Sequence, residues 1–129
     1  MTVLDASAAA ELILHSVRGA DVAQHLRGQR LDVPCHFDVE VVGVIRRSVQ
    51  RGLLNDREGL LAVEDLRSLR IKRWPTELLV ERAYDLRATH SVADAAYVAL
   101  AEALDSTLVT CDGRLARSHG HHADIELIA

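Results

Sequence analysis

The sequence predicts an α/β domain of three layers, with a mostly parallel sheet covered by helices on both faces. Three observations lead there. Short apolar, β-branched runs alternate with single or paired helical stretches. The alternation fills all 129 residues with no repeat, low-complexity tract or linker, so residues 1–129 read as a single domain with a sizeable core. Acidic residues fall just after strand candidates and in the first turns of helix candidates, the places from which a parallel sheet collects side chains at one rim.

Thr2 to Asp5 (TVLD) is short and apolar and reads as a buried strand closed by Asp5. Ser7 can cap the helix ASAAAELILHSV that follows. Gly19 then separates a second helical piece, Ala20 to Leu26, and turn residues gather around Gly28. Leu31 to Val33 is the next strand candidate, punctuated by Pro34. From His36 to Arg51 the periodicity becomes helical, with Phe37, Val41, Val44, Ile45 and Ser48 on one face. Gly52 ends that helix, and Asn55 or Asp56 can cap another over Arg57 to Leu69, whose apolar positions include Leu61, Leu66 and Leu69.

Ile71 to Trp74 reads as a brief strand, and Pro75-Thr76 opens a helix to about Thr89. Ser91 to Leu104 is a further helix and Ser106 to Thr110 a further strand. A helical turn around Leu115 precedes a last, edge strand over Asp124 to Ile128.

Composition narrows the function. Aromatic residues are 3% of the chain, too few for base-stacking platforms to be the main binding device. No apolar run approaches the ~20 residues of a membrane span, and the N-terminal segment carries Asp5 and Glu11 without a basic flank, unlike a signal peptide. A cytoplasmic protein with no membrane partner is the expectation. The net charge of −4 argues against nucleic acid on its face. A cluster of carboxylates neutralised by metal would remove most of that excess, so the sign decides little. Arg outnumbers Lys fourteen to one, which suits bidentate phosphate contacts but also follows from a G+C-rich genome. Cys35 and Cys111 form no C-x-x-C pair and read as free thiols.

Asp5, Glu40, Asp94 and Asp112 are the four acids expected at the rim. Each has a local role available as well. Asp5 can cap the first helix, and Glu40 can answer a helix dipole. Ser91-x-x-Asp94 resembles a capping box, and Asp112-Gly113 is an ordinary turn dipeptide. Their shared rim favours a joint role in holding a hard cation such as magnesium, which takes oxygen ligands. Such an ion can orient and acidify a water against phosphorus.

The motifs VLDASA (3–8), Pro34-x5-Glu40 with Arg46-Arg47, DAAYVALAE (94–102) and LVTCDGRLA (108–116) together resemble the PIN-domain ribonucleases, specifically the VapC-type toxins of bacterial toxin–antitoxin pairs. The last two motifs are the specific ones. The resemblance implies a PIN-like fold, with Asp5, Glu40, Asp94 and Asp112 as the metal-binding and catalytic quartet. It places Ser7 and Thr110 in support and puts Arg46, Arg47, Arg114 and Arg117 near the rim as RNA contacts. It further implies endonucleolytic RNA cleavage with Mg2+ or Mn2+, on tRNA, rRNA or mRNA, and so an arrest of translation. The expected partners are a VapB-type antitoxin and a second copy in a homodimer.

Two departures stand out. Gly43 sits in mid-helix, where it can allow another helix close, and no second acid follows Asp112 to complete a second metal site. The tract His119-Gly120-His121-His122 reads as a surface loop, His36 as a helix-start residue, and Trp74 and Tyr97 as core or interface. Two other classes remain for comparison. A signalling receiver needs paired acids after the first strand and a late Lys, whereas Asp5 stands unpaired and the one Lys is Lys72. A non-catalytic module of the same shape would not need the intact quartet.

Overall fold

A computed structural model describes all residues, 1–129, as five strands and seven α-helices. The strands are β1 (Thr2–Leu4), β2 (Leu31–Pro34), β3 (Ile71–Trp74), β4 (Thr107–Thr110) and β5 (Ile125–Leu127). Their order in the sheet is β3-β2-β1-β4-β5, and every pairing is parallel. The α/β reading holds throughout. The chain steps outward from β1 to β3, returns to β4 beside β1, then continues to β5 at the far edge. The order therefore reverses between β1 and β4, where side chains after both strands meet a crevice.

The helices are α1 (Ala6–Ile13), α2 (Val17–Leu26), α3 (Phe37–Gln50), α4 (Asp56–Ser68), α5 (Val80–Asp85), α6 (Val92–Leu104) and α7 (Gly113–Ala116). Helix α1 packs on α2, α3 and α4, while α5 and α6 pack on each other. Helix α6 lies along β1, β2 and β4. The division follows the general rule that parallel crossovers share one hand, so that connections running in opposite directions along the sheet cover opposite faces. Every residue of α6 from Ala95 to Ala101 is buried. Its alanines let the helix approach both the sheet and α5, and Tyr97, Val98 and Leu100 fill what remains.

Several local expectations need correction. Asp5, not Ser7, caps α1: its carboxylate accepts the Ala8 N–H at 3.0 Å. Gly19 does not interrupt the second helix but sits in the first turn of α2, behind a Ser16 cap. A Cβ there would lie 2.0 Å from the Glu11 carbonyl oxygen, so the glycine serves the contact between α1 and α2. The long helix expected from Pro75 to Thr89 is a 3-10 turn (Thr76–Leu78) followed by the short α5. On α4 the buried positions are Gly59, Ala62 and Leu66, and Leu61 is exposed. Asn55 does cap α4, in a reciprocal box with Glu58. Gly52 follows α3 with φ +76°, the left-handed conformation that favours glycine after a helix.

Candidate active site

The four acids arrive at one place by four different routes. Asp5 follows β1, and its N–H binds the Val109 carbonyl of β4. Asp112 follows β4 and caps α7, accepting the N–H groups of Arg114 at 2.9 Å and Leu115 at 3.4 Å. Glu40 lies in the first turn of α3, and Asp94 in the first turn of α6. All four line a single cavity of about 330 Å3, together with Ser7, Val39, Gly43, Val44, Arg47 and Tyr97. It opens at the carboxyl ends of β1 and β4, where the strand order reverses.

Asp5 is the buried member, 5% exposed. Its Oδ1 accepts the Ser7 hydroxyl at 2.7 Å and the Ala8 N–H, and its Oδ2 accepts the Thr110 hydroxyl at 2.5 Å. The Ser7 oxygen in turn accepts the Cys111 N–H at 3.0 Å, and the Thr110 oxygen accepts the Asp112 N–H at 2.9 Å. Each hydroxyl therefore spends its one proton on Asp5. A bond as short as 2.5 Å between hydroxyl and carboxyl oxygens is typical of an ionised acceptor. Burial nonetheless pushes the Asp5 carboxyl above its usual range, against the bonds from Thr110, Ala8 and Ser7, and the charge of Asp94 pushes the same way. Asp5 is surrounded by neutral dipoles and no cation touches it.

Glu40 is oriented from α6. Its Oε1 accepts the Tyr97 hydroxyl at 2.7 Å and lies 3.4 Å from His36 Nε2. His36 also reaches the Ala93 carbonyl at 3.0 Å and packs its ring on Tyr97. Burial, then the bond to Glu40, raises the Tyr97 hydroxyl far above its ordinary value, so it stays a donor. Asp94 and Asp112 share one cation. Arg114 Nη2 is 3.4 Å from Asp94 Oδ2 and 3.7 Å from Asp112 Oδ2.

The donor set suits a hard divalent ion. An ionised carboxylate offers about four lone-pair sites, and Asp5 uses three, leaving one. Glu40, Asp94 and Asp112 are each part-exposed and keep oxygen positions open. As they stand, no three acidic, His or Cys side chains converge closely enough to grip an ion. The four acids share a cavity wall.

The remaining expectations separate. Ser7 and Thr110 both hold Asp5. Arg47 lines the cavity and Arg114 bridges two of its acids, whereas Arg46 is not on the wall and Arg117 lies against Gly113. Gly43 brings no neighbouring helix close; it lines the cavity, with only Arg47 Nη1 near its missing Cβ. His121 spends both ring nitrogens locally, on the Ala123 N–H and on Ser118, and His122 pairs with Glu102. Tyr97 is core and His36 stands at the start of α3, as the sequence suggests, and both in addition hold Glu40. The three-residue step from Asp94 to Tyr97 was the available signal, since it sets both on one helix face.

Residues 2–119 match the PIN domain family. The chain belongs to that family. Over all 129 residues it is 59% identical to Ribonuclease VapC12 of Mycobacterium tuberculosis, with 100% of each chain covered. It is 42% identical over 115 residues to Ribonuclease VapC9 of the same species, covering 89% of this chain and 88% of the relative. Within the PIN family it is therefore a VapC-type ribonuclease. Two solved structures share the PIN fold with it. Mycobacterium tuberculosis VapC20, described as a Sarcin-Ricin loop cleaving toxin, superposes with a TM-score of 0.67 at 17% identity, covering 90% and 93% of the two chains. VapBC2 from Rickettsia felis, bound to a promoter DNA fragment, gives 0.67 at 14% identity, covering 98% and 97%.

Proposed function

We propose that this PIN-domain protein is the toxin of a toxin–antitoxin pair, a metal-dependent endoribonuclease that cuts RNA at the cavity bounded by Asp5, Glu40, Asp94 and Asp112. The observation that carries the reading is the delivery of these four motif acids, from four elements, to one cavity at the strand-order reversal. A Mg2+ or Mn2+ ion held there would supply Lewis acidity to the phosphodiester and lower the pKa of a bound water.

The chain's own residues provide the frame. Ser7 and Thr110 fix both oxygens of Asp5, and their bonds favour its ionised form in opposition to burial. Tyr97 and His36 aim Glu40 across the cavity. Arg47 on the wall and Arg114 beside Asp94 and Asp112 offer cations to the RNA backbone. The VapC names of the relatives and the VapBC2 neighbour support a VapB-type antitoxin as partner. A homodimer acting in the cytoplasm on tRNA, rRNA or mRNA completes the proposal. No helix is long and apolar enough to cross a membrane.

Purified protein is expected to cleave RNA with Mg2+ or Mn2+, to stop on chelation, and to lose cleavage in Asp5→Asn. Full cleavage by that variant, folded, would remove the assigned mechanism. Co-expression with the product of an adjacent small gene is expected to yield a complex in which cleavage is suppressed.

A further inference from the structure

Arg114 holds a position that an RNA contact alone does not require. One guanidinium nitrogen bridges Asp94 and Asp112, carboxylates brought by α6 and by the start of α7. The Arg114 backbone N–H is bound by Asp112 at the same time, which sets the side chain's root beside the acid it reaches. The side chain is otherwise 81% exposed. Arg47, the cation that lines the cavity itself, pairs with none of the four acids. Two neighbouring carboxylates repel each other, and a cation between them offsets that repulsion.

We propose that Arg114 is the built-in counter-cation of the metal-free site, holding Asp94 and Asp112 until a divalent ion displaces it. The inference rests on the reading of the four acids as metal ligands. A guanidinium has donors and no acceptor, so it cannot join an ion's coordination shell. Both cations draw on the same two carboxylates, so each opposes the binding of the other. Because the pairs are long and solvent-exposed, the opposition is modest, a factor of about three to ten in metal affinity. That is weak enough to release and large enough to measure. Linkage gives the arrangement a use. Whatever draws Arg114 away tightens metal binding by the same factor, and an RNA phosphate matches the guanidinium's planar fork.

The test is calorimetric titration of the full-length protein with Mn2+, for the native chain, Arg114→Ala, Arg114→Gln and Arg47→Ala. The two Arg114 variants are expected to bind Mn2+ about three- to tenfold more tightly. Arg47→Ala removes an equal charge from the wall beside the four acids without breaking a carboxylate contact, and its gain is expected to stay below about twofold. Unchanged or weaker binding in both Arg114 variants overturns the proposal, as does an Arg47→Ala gain equal to theirs. Should the native chain bind Mn2+ in an Asp5-dependent manner while the Arg114 variants show no gain, only the counter-cation role falls. Should the native chain bind no Mn2+, the metal reading falls with it.

Discussion

Replacing Thr110 by Val keeps the side chain's shape and removes one oxygen from a fully buried position. That oxygen donates to Asp5 at 2.5 Å and accepts the Asp112 N–H at 2.9 Å. Loss of a bond to a buried charged group costs roughly 1.5–3 kcal/mol, and a backbone N–H left without its acceptor adds about 1 kcal/mol or more. Water can reach the half-exposed Asp112 segment and recover part of the second loss. The expected net destabilisation is about 2–4 kcal/mol, a fall in melting temperature on the order of 10 °C for a domain of this size. The cost should also depend on pH. Burial raises the Asp5 carboxyl, and the Thr110 bond is the foremost influence opposing that rise. A carboxyl raised in the folded state contributes stability that is fully present below its unfolded value and lost as pH rises through its folded value. Without Thr110 the folded value climbs further, so the variant should lose more at pH 7 than at pH 3. Metal ligation needs the ionised form, and the acid limb of cleavage should therefore move to higher pH. Urea unfolding in chelator at both pH values and a cleavage–pH profile measure these effects, with Thr110→Ser as the variant that keeps the hydroxyl. A loss below about 0.5 kcal/mol in Thr110→Val, an equal loss in Thr110→Ser, or an unmoved acid limb would refute the reasoning.

Three further outcomes are expected. Asp5→Asn should abolish cleavage yet leave the metal-free protein as stable as the native chain or more so at pH 7, because it removes a buried charge while its amide oxygen can still cap α1; thermal melts in chelator check the sign. Tyr97→Phe should cost about 1 kcal/mol in unfolding free energy and lower kcat more than KM, since it frees Glu40 without altering the cavity's Arg residues. Gly19→Ala should destabilise by about 1–3 kcal/mol despite the better helix propensity of Ala, because its Cβ would meet the Glu11 carbonyl and α1 and α2 would have to part; an unchanged urea midpoint would contradict the close approach.

Much of the site was legible because Asp5 and Asp112 depend only on where strands end, which short β-branched runs mark clearly. Glu40 and Asp94 depend only on where helices begin, and Pro34 and Ser91 mark those points. The local duties assigned to these acids were partly real. Ser91 does cap α6 through the Asp94 N–H, but no return bond from the Asp94 carboxylate closes the box, and that carboxylate meets Arg114 instead. Asp5 both caps α1 and faces the cavity, since its two oxygens serve different partners. Contacts between elements distant in sequence were not legible. Gly19 resembles a breaker until α1 is packed against it, and Tyr97 is core whose hydroxyl also serves Glu40. Asp32 escaped notice altogether: it is wholly buried in β2 and bound by Arg30 and Trp74, an arrangement no local pattern announces.

The four acids are neutralised in different ways, and this sets what metal binding would gain from each. Asp94 and Asp112 have a cation, which opposes an incoming ion. Glu40 has a hydroxyl donor and an imidazole. Asp5 has dipoles alone, in the least solvated position of the four, and its carboxyl is held above the usual range by burial. A divalent ion would therefore relieve Asp5 most, because an opposite charge favours the ionised form where water cannot. The driving force for metal capture then lies under the sheet's switch point, and the opposing contact lies at the solvent edge. Removing Asp5 should weaken Mn2+ binding more than removing any other member of the quartet, and removing Arg114 should act in the opposite direction. Opposite signs alone would also follow from the long-range field of a merely acidic surface, so the deciding measurement is salt: on such a surface both shifts fade together in high salt, whereas direct ligation by Asp5 keeps its loss.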